Sequence, residues 1–149
     1  MSKASARILK EWEPISERII MARFTSGCQD TIIIQAHAPT NDASEADKES
    51  FYEQLQATMA KRKKRDITIL MGDMNAKVGS ADRGNERVMG KHGVGTMNQN
   101  GELFVDFCSL NDLSIGGILF PHKESHKVTW RSPYRSFENQ IDHVVIFRR

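Results

Sequence analysis

The chain has 149 residues, 39% hydrophobic and 27% charged, with a formal net charge of +2. That size is enough for one domain that buries its own core without staples. The patterning excludes wholesale disorder, collagen and coiled coil, and no apolar stretch approaches the roughly 20 residues of a membrane-spanning helix. Cys28 and Cys108 show no CxxC spacing, so they read as two free thiols in a reducing compartment. The first residues contain no apolar core of a secretory signal. An intracellular location, in nucleus or cytoplasm, with no membrane partner, is therefore expected.

The pattern predicts a short helix over residues 3–12, with Ile8, Leu9 and Trp12 on one face and Pro14 as its stop. Residues 15–24 and 31–38 are rich in isoleucine and read as a hairpin of two strands around a Ser-Gly-Cys-Gln-Asp turn. The clearest helix covers residues 44–60, capped by Asp42 or Ser44, with Phe51, Tyr52, Leu55 and Met59 inward. A basic run, residues 61–65 (KRKKR), follows it. It fits a phosphate or nuclear-import patch, and equally a solvated helix end favoured by the helix dipole. Residues 66–71 form a short apolar strand. The stretch 76–100 is glycine-rich and without periodicity, and reads as a long, mobile loop. A helix over 102–109 follows, then strands over 113–119, 128–130 and 140–147. Strands with interleaved helices give a layered α/β or α+β domain. The N-terminal element and the final strand both read as cut rather than finished.

Asp73 and Asn75 stand directly after the buried strand. Residues two apart on extended chain face the same way, so a carboxylate and a carboxamide arrive together at a strand end. Such a pair can hold a divalent cation, take a proton from water or grip a phosphoryl oxygen. Gly-Asp-x-Asn is also good turn chemistry. Asp142 interrupts an apolar strand, so it faces solvent or a partner such as a histidine or a metal. His122 and His126 have the i, i+4 spacing of zinc ligands on a helix, but follow a proline in a connecting segment and lack a third ligand nearby. His126, Lys127 and Trp130 mix cations with an aromatic, as a nucleic-acid backbone surface does, or form an ordinary exposed loop.

Four segments then occur in order: HAPTND (37–42), GDMNAKVG (72–79), NQNGELFVDFC (98–108) and HKVTWRSP…NQIDHVVI (126–146). Together they closely resemble the endonuclease domain of RTE-type non-LTR retrotransposons and the craniofacial-development-protein-2-like genes derived from them. That domain belongs to the endonuclease/exonuclease/phosphatase superfamily, and the resemblance runs from about Ala4 to Arg149. It implies a four-layered α/β sandwich of the DNase I-like type, here incomplete at both ends. It implies Mg²⁺- or Mn²⁺-dependent hydrolysis of a phosphodiester in DNA, in a parent element that can also carry a reverse transcriptase domain. Asp73 matches the water-activating aspartate and would be a weak metal ligand, Asn75 the phosphate-contacting asparagine, and Asp142 the aspartate that orients a histidine. His37 stands where the family often has tyrosine; with Thr40, His126, Lys127 and Trp130 it makes up the expected substrate surface.

The departures also follow from the sequence. No strand ending in the family's metal-binding glutamate precedes residue 15, and no Ser-Asp-His triplet occurs. The chain is therefore expected to be a partial domain, 1–149, with impaired hydrolysis. A non-catalytic interaction module and a phosphatase of the same superfamily are the alternatives. Strands 15–24, 31–38 and 66–71 are expected in one sheet, with Asp73 and Asn75 at its rim and Asp142 arriving from the other sheet.

Overall fold

The structure, a computed structural model, describes residues 7–148 except 26, 64, 83 and 135. Its centre is a six-stranded sheet in the order β1-β2-β3-β4-β8-β5. These strands are β1 (Leu9–Pro14), β2 (Ile19–Thr25), β3 (Asp30–His37), β4 (Ile67–Asp73), β5 (Leu113–Ile115) and β8 (Asp142–Phe147). The expected hairpin is present: β2 pairs antiparallel with β3, from Ile19 opposite Ala36 to Thr25 opposite Asp30. β3 and β4 run parallel, joined by α1 (Glu45–Ala60). β8 enters antiparallel to β4, and β5 pairs with the far side of β8. Trp130–Arg131 (β6) and Glu138–Asn139 (β7) make a separate two-stranded ribbon.

Alternation decides the two faces of the sheet. Ile19 and Met21 on β2, Ile32, Ile34 and Ala36 on β3, Leu70 on β4 and Val145 on β8 are buried on one side. There they meet Phe51, Leu55 and Met59 of α1 and Phe104, Phe107 and Cys108 of α2 (Gln99–Leu110) in one core. Ser44 caps α1 by accepting from Asp47 N, as its sequence indicates. The opposite face presents Trp12, Ile20, Ile67, Val144 and Ile146, each more than two-fifths exposed. Of the four layers implied by the resemblance, the described residues build the helix layer and the main sheet, plus the small ribbon. No described helix is long and apolar enough to cross a membrane.

Some elements differ from the sequence pattern. Leu9–Pro14 is a strand, not the end of a helix, and residues 3–6 of that expected helix lie outside the described residues. Tertiary pairing overrides the local pattern here: Trp12 lies opposite Ala22 on β2, and Glu11 accepts from Arg23 at 2.7 Å. Arg23 also pairs with Asp66, and both side chains are buried. The basic run is partly absorbed into packing. Lys61 pairs with Glu13 at 2.7 Å and the Arg62 guanidinium sits 4.2 Å from the Phe147 ring centre; Lys64 lies outside the described residues. Among the described residues, the segment between β4 and α2 has neither helix nor strand, yet it is anchored. Ala76, Val78, Val88 and Met89 are buried in the core, and Ile115 N donates to Val88 O at 2.8 Å. β5 stops at Ile115, and a 3₁₀ turn takes Gly116–Ile118.

Candidate active site

β4 is buried because its alternate residues face the core, and it carries Asp73 to the rim of the sheet. The residue before it must be glycine. Gly72 has φ 138°, and a Cβ there would collide with the Ala36 carbonyl oxygen of β3. Asp73 has a register partner on each side: His37 on β3 and Asp142 on β8. Met74 N donates to Ile141 O at 3.0 Å. Residues 74 and 141 are thus a hydrogen-bonded pair, and Asp73 and Asp142 are the adjacent non-hydrogen-bonded one. In such pairs the Cα atoms lie about 4.5 Å apart and the side chains share a face. Asp142 therefore reaches Asp73 from the neighbouring strand of the same sheet, not from a second sheet. The expected proximity holds; the route differs, because β8 inserts between β4 and β5.

Asn75 follows in a left-handed turn, φ 48°, which asparagine tolerates better than most residues. Its N–H donates to Asp73 Oδ1 at 2.9 Å and its Nδ2 donates to Ala38 O, also at 2.9 Å. The turn reading of Gly-Asp-x-Asn holds, and the turn is what orients the Asp73 carboxylate at the strand end. Asn98 ties this turn to α2. Its Oδ1 accepts from Gly101 N at 2.8 Å, capping the helix, and from Lys77 N at 2.9 Å; its Nδ2 donates to Asn75 O at 3.3 Å. The cap signal in Asn-Gln-Asn-Gly was readable in the sequence, but its second role needs the fold.

Thr129 and His143 support the Asp142 side. The Thr129 hydroxyl oxygen accepts from Ile141 N at 3.1 Å and Asp142 N at 3.2 Å. Asp142 is exposed, with no hydrogen bond or ion pair to its carboxylate among the described residues. His143 points the other way, into the core. Its Nε2 lies 2.8 Å from Ala76 O, its ring lies 5.3 Å from that of Phe104, and burial holds its pKa below the usual histidine range.

Asp73, Asn75, Lys77, Asn98, Trp130 and Asn139 border one cleft of about 390 Å³. His37 and Thr40, by contrast, line a neighbouring polar hollow with Arg18 and Ser50. His126 is exposed on the four-residue helix α3 (Glu124–Lys127), and Lys127 lies 3.8 Å from Glu124. Neither borders the cleft. Sequence reasoning missed Asn41, Lys77, Asn98 and Asn139, all ordinary polar residues until the fold gathers them. Among the described residues no group of three or more His, Cys, Asp or Glu side chains could hold a metal, so the His122–His126 zinc reading finds no support. Asp73 could supply one carboxylate to a hard cation of the Mg²⁺ kind, which takes one or two carboxylates and completes its shell with water and substrate oxygens.

No family model matches the chain. Among solved structures, it is similar to the endonuclease domain of TRAS1, a telomere-specific non-LTR retrotransposon. The TM-score is 0.63 at 15% identity, over 94% of this chain and 56% of that one. It is also similar to an endonuclease/exonuclease/phosphatase family protein from Leptotrichia buccalis C-1013-b, with TM-score 0.55 at 13% identity, over 87% of this chain and 41% of that one. The chain has the DNase I-like endonuclease/exonuclease/phosphatase fold. Curated proteins of known sequence give a second likeness. Craniofacial development protein 2 of Tragulus javanicus is 36% identical over 134 residues, and that of Bos taurus 34%. Both matches cover 90% of this chain, which spans 23% and 22% of those relatives' lengths. In this endonuclease/exonuclease/phosphatase fold, the Asp73 cleft lies at the rim of the main sheet.

Proposed function

We propose that the chain supplies the aspartate–asparagine face of a divalent-metal-dependent phosphodiesterase acting on the DNA backbone. The observation that carries this is the Asp73–Asp142 neighbour pair, with Asp73 and Asn75 at the border of an open cleft. The similarity to an endonuclease domain makes a nucleic-acid phosphodiester the substrate of choice.

A bound Mg²⁺ or Mn²⁺ would neutralise the charge that develops on the phosphate. The chain's own groups divide the remaining work. Asn75 N–H fixes one oxygen of Asp73, leaving the other to take a proton from the attacking water. One Asn75 amide hydrogen goes to Ala38 O, and the second is left to donate to a phosphoryl oxygen. Asp142, with its backbone fixed by Thr129, is left to accept from an imidazole that leans over the phosphate. Trp130 and Lys77 border the path of the strand, suited to stacking and to phosphate charge.

In this reading the 149 residues alone cut slowly. No Ser-Asp-His segment occurs in them, and losing members of a set that acts as a unit leaves only residual activity. The test is nicking of supercoiled plasmid with Mg²⁺ or Mn²⁺ by this chain, by a longer protein carrying the flanking segments, and by Asp73→Ala in each. The longer protein should nick, the chain should trail it by orders of magnitude, and Asp73→Ala should abolish both activities. Nicking that survives Asp73→Ala in the longer protein would overturn the assignment. Complete inertness of the longer protein would favour the interaction-module reading instead.

A further inference from the structure

We propose that a groove between α1 and α2, on the outside of the helix layer, docks a basic amphipathic helix. The two helices run side by side in the same direction. Lys48 Nζ reaches Gln99 Oε1 at 3.0 Å near their N-terminal ends, and the Gln56 and Asn111 amides exchange hydrogen bonds of 3.2 and 2.7 Å near their C-terminal ends. Along and beyond these two ties the outer surface of the helix pair forms a hollow of about 840 Å³.

The floor of that hollow is apolar, Tyr52 from α1 with Leu103 and Phe107 from α2, and Ala57 and Leu110 stand exposed at its edge. Leu110 is 84% exposed. The walls are acidic on both sides. Glu49 and Glu53, one turn apart, stand on α1 and Asp106 stands on α2. None of the three has an ion pair or hydrogen bond among the described residues. Glu45 and Lys48, at the end of the groove, satisfy each other at 3.2 Å.

This combination selects its occupant. Along α1 the lining runs from Glu45 to Ala60, about 22 Å or four turns of helix. An apolar stripe at i, i+3, i+4 and i+7 fits the floor, and lysine or arginine on its flanks would meet the unpaired carboxylates. A second copy of this chain laid groove to groove would set acid against acid. A phosphate backbone or an anionic lipid surface is repelled for the same reason.

The probe is a labelled 16-residue peptide with leucines at the stripe positions and lysines elsewhere, titrated against the whole 149-residue chain by fluorescence anisotropy. Two controls keep the design: glutamate in place of lysine, and serine in place of leucine. The lysine–leucine peptide should saturate at least tenfold tighter than either control. Glu49→Lys with Glu53→Lys should weaken it at least tenfold, and so should Leu110→Ser. All are exposed positions, and circular dichroism should be unchanged. Equal binding of the serine control, or indifference to charge reversal, would overturn the proposal. So would a dimer in sedimentation that Leu110→Ser dissolves.

Discussion

His143 Nε2 lies 2.8 Å from the carbonyl oxygen of Ala76, three residues past Asp73. A carbonyl only accepts, so Nε2 carries the proton and the neutral ring is the form that fits. The bond pins the start of the long loop onto β8 and so holds Asn75 in its turn. The other ring nitrogen, Nδ1, is buried without a partner among the described residues.

Burial is the leading cause that lowers the His143 pKa in the folded chain. The unfolded chain, with an ordinary histidine near 6.5, therefore binds more protons below that pH. Stability should be full above about pH 6.5 and fall as the pH drops toward the folded pKa, with a slope of up to about 1.4 kcal/mol per pH unit. Urea unfolding at pH 7.5, 6.5 and 5.5 reads this. His143→Gln should be less stable at pH 7.5 and show a shallower loss on acidification.

Gly72→Ala should cost about 2–4 kcal/mol, because the added methyl meets the Ala36 carbonyl and the backbone sits where only glycine is relaxed. A midpoint shift under 0.5 kcal/mol in denaturant would show that β3 and β4 separate more easily than their register suggests.

Asp66→Ala should leave the buried Arg23 guanidinium with only Glu11 and the more distant Asp30 as acidic neighbours, at a cost on the order of 3 kcal/mol. Pairing Asp66→Leu with Arg23→Met should recover much of that loss, since the penalty comes from the stranded charge. A double-mutant cycle checks both statements.

Asn98→Ala removes a helix cap and two ties to the Asp73 turn together. It should lower stability by about 1–2 kcal/mol. If the proposed chemistry holds, it should reduce plasmid nicking in the longer protein more than Asn111→Ala does, although Asn111, at the far end of α2, is a buried asparagine that is also hydrogen-bonded. Equal effects of the two on nicking would mean that the Asn98 bonds to Lys77 N and Asn75 O do not position the site.

The elements whose signals are local are legible in the amino-acid order. Isoleucine-rich runs around a short turn specify the β2–β3 hairpin, Ser44 with a long apolar stripe specifies α1, and Gly-Asp-x-Asn after an apolar strand marks the centre of the candidate cleft. Burial and capping act over a few residues, so these read directly. Strand pairing makes Leu9–Pro14 a strand although its pattern suits a helix, because Glu11 finds Arg23 across the sheet. It alone decided that Asp142 stands in the same sheet as Asp73, since strand order depends on partners some seventy residues apart. It also separated His37 and Thr40, and His126 and Lys127, from the cleft that holds Trp130, and it gave Asn98 and Thr129 their work. Spacing along the chain says which way a side chain leaves its strand; which neighbours it meets is fixed only when the strands pair.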